Sequence, residues 1–568
     1  MNRISTGTLA RPSLFALRSV DEHAANVAAW LAVVMMVVFI ALPLAAIFMK
    51  ALESRDGAFV GMVQISQVIS EPRLVSASVN SLMLALITTA IVVPCALGFA
   101  FALTRSRVFG RPVFRLIALS PLLAPSLMPA ISLVYLFGNQ GLLKSWLGTQ
   151  SIYGPIGIVL GEIFYTFPHA LLVLTAALSV ADARLYEAAE ALGAGPLRRF
   201  LTITLPNVRY GLMSSATLVF TLAVTDFGVP KVIGGQTNVL ALEAYKQVIG
   251  QQNFNKGAVI GLLLLLPAVL SFVVERHISR RQTATMTGKS VVYTPHPHVA
   301  RDGVLWVFCS LVSVFFLALV GVAMAAAFMK LWPYNLSFTL NHFDFDQMDG
   351  DGWNAFRNSL YLATLTALVG TGFVFLAAYL AIKLPVSRLA GLVTHCLALL
   401  PMAVPGLVLG LGYVMFFNAP DNPFNFLYGG MAILVASTVC HFYTTAHLTI
   451  VTSLRQIDGE IEAVARSLQR PWWVTCSKVT LPMTFPSLIG VARFLFVSSM
   501  TTVSGVIFLY QPETVLAAVA VLNMDDAGDT AAAAAMASLI FVSSLGVSVL
   551  MNGVCEWIER RAQAWRRR

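Results

Sequence analysis

Long apolar runs alternate with short polar segments along almost the whole chain. Runs long enough to cross a bilayer as helices, for which about twenty residues suffice, fall near 27–49, 78–103, 113–137, 154–180, 211–235 and 257–275. After a polar stretch they resume near 303–328, 358–383, 390–417, 428–453, 487–510 and 531–555. The pattern predicts an all-α, polytopic membrane protein of about twelve transmembrane helices, six on each side of the polar stretch. The segments are then an N-terminal segment 1–26, a first transmembrane domain 27–275, a linker 276–302, a second transmembrane domain 303–555 and a basic tail 556–568. Pro121, Pro125 and Pro129 fall inside one run and predict a kinked span.

The two sets of six are repeats. Asn80-Ser81-Leu82 recurs as Asn358-Ser359-Leu360, and Ser120–Pro125 recurs as Leu400–Pro405. Phe164–His169 recurs as Phe442–His447, Asp182 as Asp458, and Thr204-Leu205-Pro206 as Thr480-Leu481-Pro482. The displacement stays between 276 and 280 residues. An even number of spans per repeat returns the chain to the same side, so the halves are parallel copies related by a pseudo-two-fold axis along the membrane normal.

Charge fixes the expected orientation. Arg3, Arg11 and Arg18 precede the first run, Arg105, Arg107 and Arg111 follow the second, and Arg184, Arg198, Arg199 and Arg209 follow the fourth. Arg276, Arg280, Arg281, Lys289 and Arg301 fill the linker, and the chain ends in further arginines. Alternate loops are neutral or acidic, with Asp344, Asp346, Asp349 and Asp351, or Glu513, Asp525, Asp526 and Asp529. The positive-inside rule puts both termini, the linker and the loop around Glu187 in the cytoplasm. The net charge of +10 is thereby a topology signal, not a nucleic-acid footprint. At 57% apolar and 11% charged residues, against about 25% charged in soluble domains, the chain is excluded from the soluble class. Residues 1–26 lack a signal-peptide arrangement.

Resident chemistry is not visible. The six cysteines stand singly, and no spacing suits a metal or a redox pair. His296 and His298 flank Pro297 in the polar linker, where an isolated pair is ordinarily solvated. No G-x-x-x-x-G-K-[ST] string is present, so no phosphate-cradling loop is expected, and no cofactor.

One polar island is unlike an ordinary loop. Asp182 is placed to cap a short helix, and Glu187 to Leu192 are good helix formers. Gly193, Gly195 and Pro196 break that helix, and Pro206 is expected to end the piece after it. A helix-turn-helix held just outside a membrane is suited to being gripped by another protein. Glu187-Ala188-Ala189, then Gly193, then Ile203-Thr204-Leu205-Pro206 resembles the EAA loop of ABC importer permeases. The resemblance implies a coupling helix seated in a cleft of a separate cytoplasmic ABC ATPase, two copies of which would serve the two halves. It also implies a periplasmic solute-binding protein as partner, a multi-pass location in the bacterial inner membrane, and two tandem six-helix repeats of the type I importer permease.

The second loop is degenerate. Aligning Asp458 and Pro482 with their counterparts puts Ala463 where Glu187 stands, Val464 and Ala465 at the two alanines and Gln469 at Gly193. Glu462 lies one residue early and is the candidate replacement for the missing carboxylate. The coupling candidates are therefore Glu187, Ala188, Ala189, Gly193 and Pro206 with Glu462, Ala463 and Pro482.

Ionisable residues inside spans are expensive and mark pathways or partners. Glu162 and His169, seven apart, share one helical face. Asp226 and Lys231 flank Gly228 and Pro230, where a broken helix would offer backbone donors to an anion. The four are candidate pathway residues. The competing reading has Asp226 and Lys231 pairing locally to hold a bend, and His169 and His447 bonding to neighbouring helices.

The whole chain resembles fused double permeases for iron(III), thiamine and phosphonates. Three strings, Tyr135–Lys144, Thr225–Lys231 and Tyr245–Phe254, resemble the 2-aminoethylphosphonate permease subgroup. The expectation is a binding-protein-dependent, ATP-driven importer permease for that solute, without its own nucleotide site. Iron(III), thiamine or polyamine import are alternatives within the class. An ion-coupled secondary transporter with Glu162 and His169 as a proton relay is the alternative outside it, and it leaves the Glu187 loop unexplained.

Overall fold

The computed structural model describes residues 20–562 except 56, 180–182, 283–292, 294, 348–351 and 469. Asp182, Asp349, Asp351, Gln469 and the arginines of the two chain ends beyond these limits lie outside the described residues. Among those described, ten helices are long and apolar enough to span a membrane, or up to twelve if each of two sharply bent pairs is one span. An antiparallel hairpin, β1 (Met329–Leu331) and β2 (Asn335–Phe338), interrupts the helical pattern.

In the first half the spans are α1 (Asp21–Ala51), α2 (Pro72–Arg105), the bent pair α3 (Arg111–Leu123) and α4 (Leu127–Phe137), and α5 (Pro155–Ser179). The short α6 (Ala183–Ala191) precedes α7 (Pro196–Thr225). Two more short helices, α8 (Gly228–Ile233) and α9 (Leu240–Tyr245), lead into α10 (Phe254–Gln282). The second half repeats the order: α11 (Val299–Phe328), α12 (Gly352–Lys383), the bent pair α13 (Arg388–Ala403) and α14 (Gly406–Phe417), α15 (Met431–Arg455), α16 (Glu460–Ser467), α17 (Trp472–Thr501), α18 (Ala517–Ala527) and α19 (Thr530–Ala562).

Prolines shape this order in two ways. Before Pro125 and Pro405 the backbone is extended, with ψ 141° at Ala124 and 116° at Val404, because proline's Cδ crowds the helical conformation of the preceding residue. The expected kink is accordingly a turn of 105° between α3 and α4, matched by 115° between α13 and α14. Pro206, by contrast, does not end its helix. The i→i+5 turn Phe200–Thr204 widens the helix just before it, and α7 runs unbroken from Pro196 to Thr225. Such a turn absorbs the missing donor and the ring clash. The span expected near 211–235 therefore begins earlier and stops at Asp226.

The recurring Asn-Ser-Leu string has a structural task. Ser81 Oγ accepts from Leu240 N at 2.9 Å, and Ser359 Oγ accepts from Ala517 N at 2.7 Å. Asn80 Nδ2 donates to Asn238 O and Asn358 Nδ2 to Val515 O. Each pair caps the start of a short outer helix, α9 or α18, from the second span of its own half. Buried backbone donors with no water to meet them make these caps valuable.

Sequence repeat and packing unit do not coincide. α1 lies against α13 and α14 of the other half. Tyr413 hydroxyl donates to Phe39 O at 2.7 Å, Phe39 stacks on Phe417, and Asn26 Oδ1 accepts from Ser387 N. α11 returns the arrangement by packing on α2 and α4. Ser132 Oγ donates to Leu319 O, and Phe316 meets Phe164 and Phe167 edge to face. Each half lends its first helix to its partner, so one continuous core joins them.

Candidate functional site

The first loop is built from local rules. Gly193, at φ +71°, ends α6 in the left-handed conformation that glycine adopts without steric cost. Gly193 N donates to Glu190 O and Ala194 N to Ala189 O, both at 2.9 Å, which is the Schellman pairing. Pro196 then opens α7 as its first residue. Arg199 closes the corner through an ion pair with Glu190 at 3.0 Å. Glu187 and Ala188 are exposed, with Ala189 beside them half-buried.

This loop is fastened from beneath. Tyr186 is buried, and its hydroxyl lies 2.9 Å from Thr204 Oγ1. The Arg105 guanidinium sits 5.0 Å from the Tyr186 ring centre and 4.6 Å from that of Tyr293, the two rings being 4.9 Å apart. Arg105 also donates to Leu178 O, and Arg107 to Pro295 O at 2.9 Å. Tyr293 and Pro295 of the linker thus lie against the same face as α6, and Tyr293 joins its anchor.

The second loop reproduces the form. Asp458 Oδ1 accepts from Glu460 N, and Arg470 N donates to Ala465 O at 3.0 Å, the counterpart of Ala194 to Ala189. Its anchor differs. Glu462 is buried and pairs with buried Lys383 at 3.5 Å, while Lys383 also donates to Ile457 O. By the repeat displacement Glu462 stands where Tyr186 stands, and Lys383 where Arg105 stands. Glu462 is therefore not a replacement for Glu187. On a helix a one-residue offset turns a side chain by about 100°, which aims Glu462 at the membrane domain and leaves exposed Ala463 at the Glu187 position.

Both loops carry a feature that a motif search does not register. Leu192 and Leu197 are 86% and 70% exposed, and their repeat counterparts Leu468 and Trp473 are 67% and 48% exposed. The signal was present in the sequence as large apolar residues inside otherwise polar islands.

The pathway candidates divide. Glu162 is buried within the first half and accepts from Thr88 Oγ1 at 2.6 Å. His169 is half-buried, with Nδ1 3.2 Å from Tyr165 O one turn earlier. Asp226 caps α8, accepting from Gly228 N and Val229 N at 3.3 and 3.1 Å, and so holds the break without Lys231. Lys231 does not pair with it. The Lys231 ammonium instead crosses to the other half and meets Asp526 Oδ1 at 3.0 Å, with the Tyr245 ring centre 5.5 Å away.

Asp525 and Asp526, topology charges in the sequence pattern, are brought into this cluster by the fold. Burial, with the neighbouring Asp526 adding and Lys231 opposing, pushes the Asp525 carboxyl up to about 6. Its charge reaches the hydroxyls of Tyr135 and Tyr153, and Tyr135 hydroxyl donates to Thr530 at 3.2 Å. Beside the cluster a cavity of about 500 Å³ opens between the halves, lined by Tyr135, Tyr153, Trp332, His342 and Thr530 among others. Among the described residues no group of three or more His, Cys, Asp or Glu is arranged to hold a metal.

Residues 93–284 and 370–563 each match the family described as "Binding-protein-dependent transport system inner membrane component". The two matches cover more than half the chain and omit the first helix of each half. A putative ferric transport system permease protein, FbpB 1 of Haemophilus influenzae, is 27% identical over 89% of this chain and 81% of its own length. The ferric transport system permease protein FbpB of Actinobacillus pleuropneumoniae is 27% identical over 91% of this chain and 76% of its own. The molybdenum transport system permease protein ModB of Mycobacterium bovis is 30% identical over 42% of this chain and 88% of its own, so that a whole permease there corresponds to about one half here.

Proposed function

This chain belongs to the binding-protein-dependent transport system inner membrane components, and from that membership we propose that it imports 2-aminoethylphosphonate. It is the multi-pass permease subunit of an ABC importer, working with a solute-binding protein and an ATPase, and ATP hydrolysis belongs to the ATPase chain. Both termini, the linker and both loops lie in the cytoplasm. α6 and α16 each enter a cleft of one ATPase subunit. Glu187, Ala188, Ala189, Gly193 and Pro206 form the first contact, and Ala463 and Pro482 belong to the second. Leu192, Leu197, Leu468 and Trp473 supply the apolar area, since exposed apolar side chains clustered in a polar loop favour burial against a partner.

One observation supports the solute. Of the three strings that resemble the 2-aminoethylphosphonate subgroup, the first is far in sequence from the other two. Their residues Tyr135, Lys231 and Tyr245 nevertheless gather around Asp525 and Asp526 at the interface between the halves. Iron(III) import is the second reading, favoured by the two ferric permease relatives. Uptake of labelled 2-aminoethylphosphonate and of labelled iron(III) is compared in cells with and without the chain, the rest of the system being present. Phosphonate uptake that depends on the chain and fails with Glu187→Arg supports the first reading. Chain-dependent iron uptake alone overturns it.

A further inference from the structure

The ion pair between the halves has no equivalent across the pseudo-two-fold axis. The displacement that carries Leu240 to Ala517 carries Lys231 to Phe508 and Ile249 to Asp526. One side of this symmetric interface therefore carries Lys231 and Asp526, while the corresponding positions on the other side are Phe508 and Ile249. Phe508 packs on Tyr245, with ring centres 6.3 Å apart. At the Phe508 position the halves meet through apolar and aromatic surface, so contact there does not use charge. Desolvating an ammonium and a carboxylate is costly, and an apolar pair of similar volume is often as stable.

The pair is also accessible. The Lys231 side chain is 19% exposed and that of Asp526 is 49% exposed, with Asp525 half-buried beside them. When the halves part, each charge loses its partner. A small solute carrying both an ammonium and an anionic oxygen group restores both contacts at once. Its ammonium meets the Asp525 and Asp526 carboxylates and its anion meets Lys231, which rests on the Tyr245 ring. A singly charged solute restores only one contact and leaves the other charge unpaired.

We propose that Lys231, Asp525 and Asp526 are a specificity-determining charge clamp for small zwitterions, exchanged between halves and solute during opening. The inference rests on the reading of the chain as an importer of 2-aminoethylphosphonate, itself a zwitterion. It adds which residues select the solute and why both charges of the solute matter.

The test uses the full chain with its ATPase and binding protein in membrane vesicles. Labelled 2-aminoethylphosphonate uptake and binding-protein-stimulated ATP hydrolysis are measured side by side. The double variant Lys231→Met/Asp526→Leu keeps an apolar contact between the halves and removes both charges. Uptake should fall about tenfold or more, as for lost charged hydrogen bonds, while stimulated hydrolysis stays within about twofold of the unaltered protein. Lys231→Arg should retain most of the uptake. Uptake undiminished in the double variant overturns the inference, as does loss of uptake and hydrolysis together, which would assign the pair to holding the halves in place. Should the double variant fail to accumulate, Lys231→Met alone is judged by the same criteria. If the unaltered chain imports no 2-aminoethylphosphonate, the functional reading itself fails, an outcome separate from all of these.

Discussion

The Glu187 loop and its repeat counterpart have nearly the same backbone and different chemistry beneath and above it. Ala194 to Ala189 and Arg470 to Ala465 are the same hydrogen bond one repeat apart. Leu192 and Leu197 are matched by Leu468 and Trp473. Above, the first loop presents Glu187 and the second presents Ala463. Below, a guanidinium resting against two mutually packed tyrosine rings anchors the first, and a buried ammonium–carboxylate pair anchors the second. Shape and apolar surface are thus held constant while the charges differ. The cation at Arg105 or Lys383 decides what its partner must be: a guanidinium stacks on aromatic faces, whereas an ammonium behaves as a point charge.

The comparison breaks most severely at its buried pair. Glu462→Ala leaves Lys383 buried without its carboxylate, a change that costs about 3–5 kcal/mol. Thermal unfolding of the purified permease should show a clearly lowered midpoint, and Lys383→Met/Glu462→Met should recover most of the loss. An unchanged midpoint for Glu462→Ala would mean that the pair does not anchor the loop.

Glu187→Arg should act on transport and not on stability, because the side chain is exposed. Solute uptake should drop by about tenfold or more, corresponding to a few lost charge-assisted contacts, with an unfolding midpoint near that of the unaltered protein. Full uptake with normal recovery of the ATPase would remove Glu187 from the docking surface.

Tyr293→Ala should be milder. Losing one of the two aromatic rings that Arg105 rests against costs about 1 kcal/mol, read as faster proteolysis at the linker and a small fall in coupled hydrolysis. Tyr293→Phe should behave as the unaltered protein, and a defect in it would point to the hydroxyl instead of the ring.

Ala463→Glu sharpens the contrast by making the second loop resemble the first. On an exposed helical face the substitution should change stability by no more than about 0.5 kcal/mol. Its expected effect is a modest gain in uptake when Glu187 is replaced by Ala. No rescue at all would show that the two docking contacts are not interchangeable.

How much was legible follows from the range of the interactions involved. Hydropathy placed the spans because backbone polar groups in lipid must be satisfied within a helix. Gly193 and Pro196 announced the turn because φ at a glycine and ring closure at a proline are local. The fate of Pro206 was not legible, since a widened turn and a broken helix start from the same residue. Nor was the role of Glu462, which counted as a neighbour of the Glu187 position until the helix rotation turned it inward.

The sequence by itself determined that this is a two-fold repeated, many-spanning chain in which the Glu187 loop matches the EAA pattern and its counterpart departs from it. Those features are written in composition, spacing and short-range backbone chemistry. Only the tertiary structure decided that each half surrenders its first helix to the other. It alone decided that Lys231 pairs with Asp526 across the interface and not with Asp226 five residues away, and that Glu462 faces Lys383. Such choices depend on which surfaces meet in space, where a short buried contact outweighs any proximity along the chain.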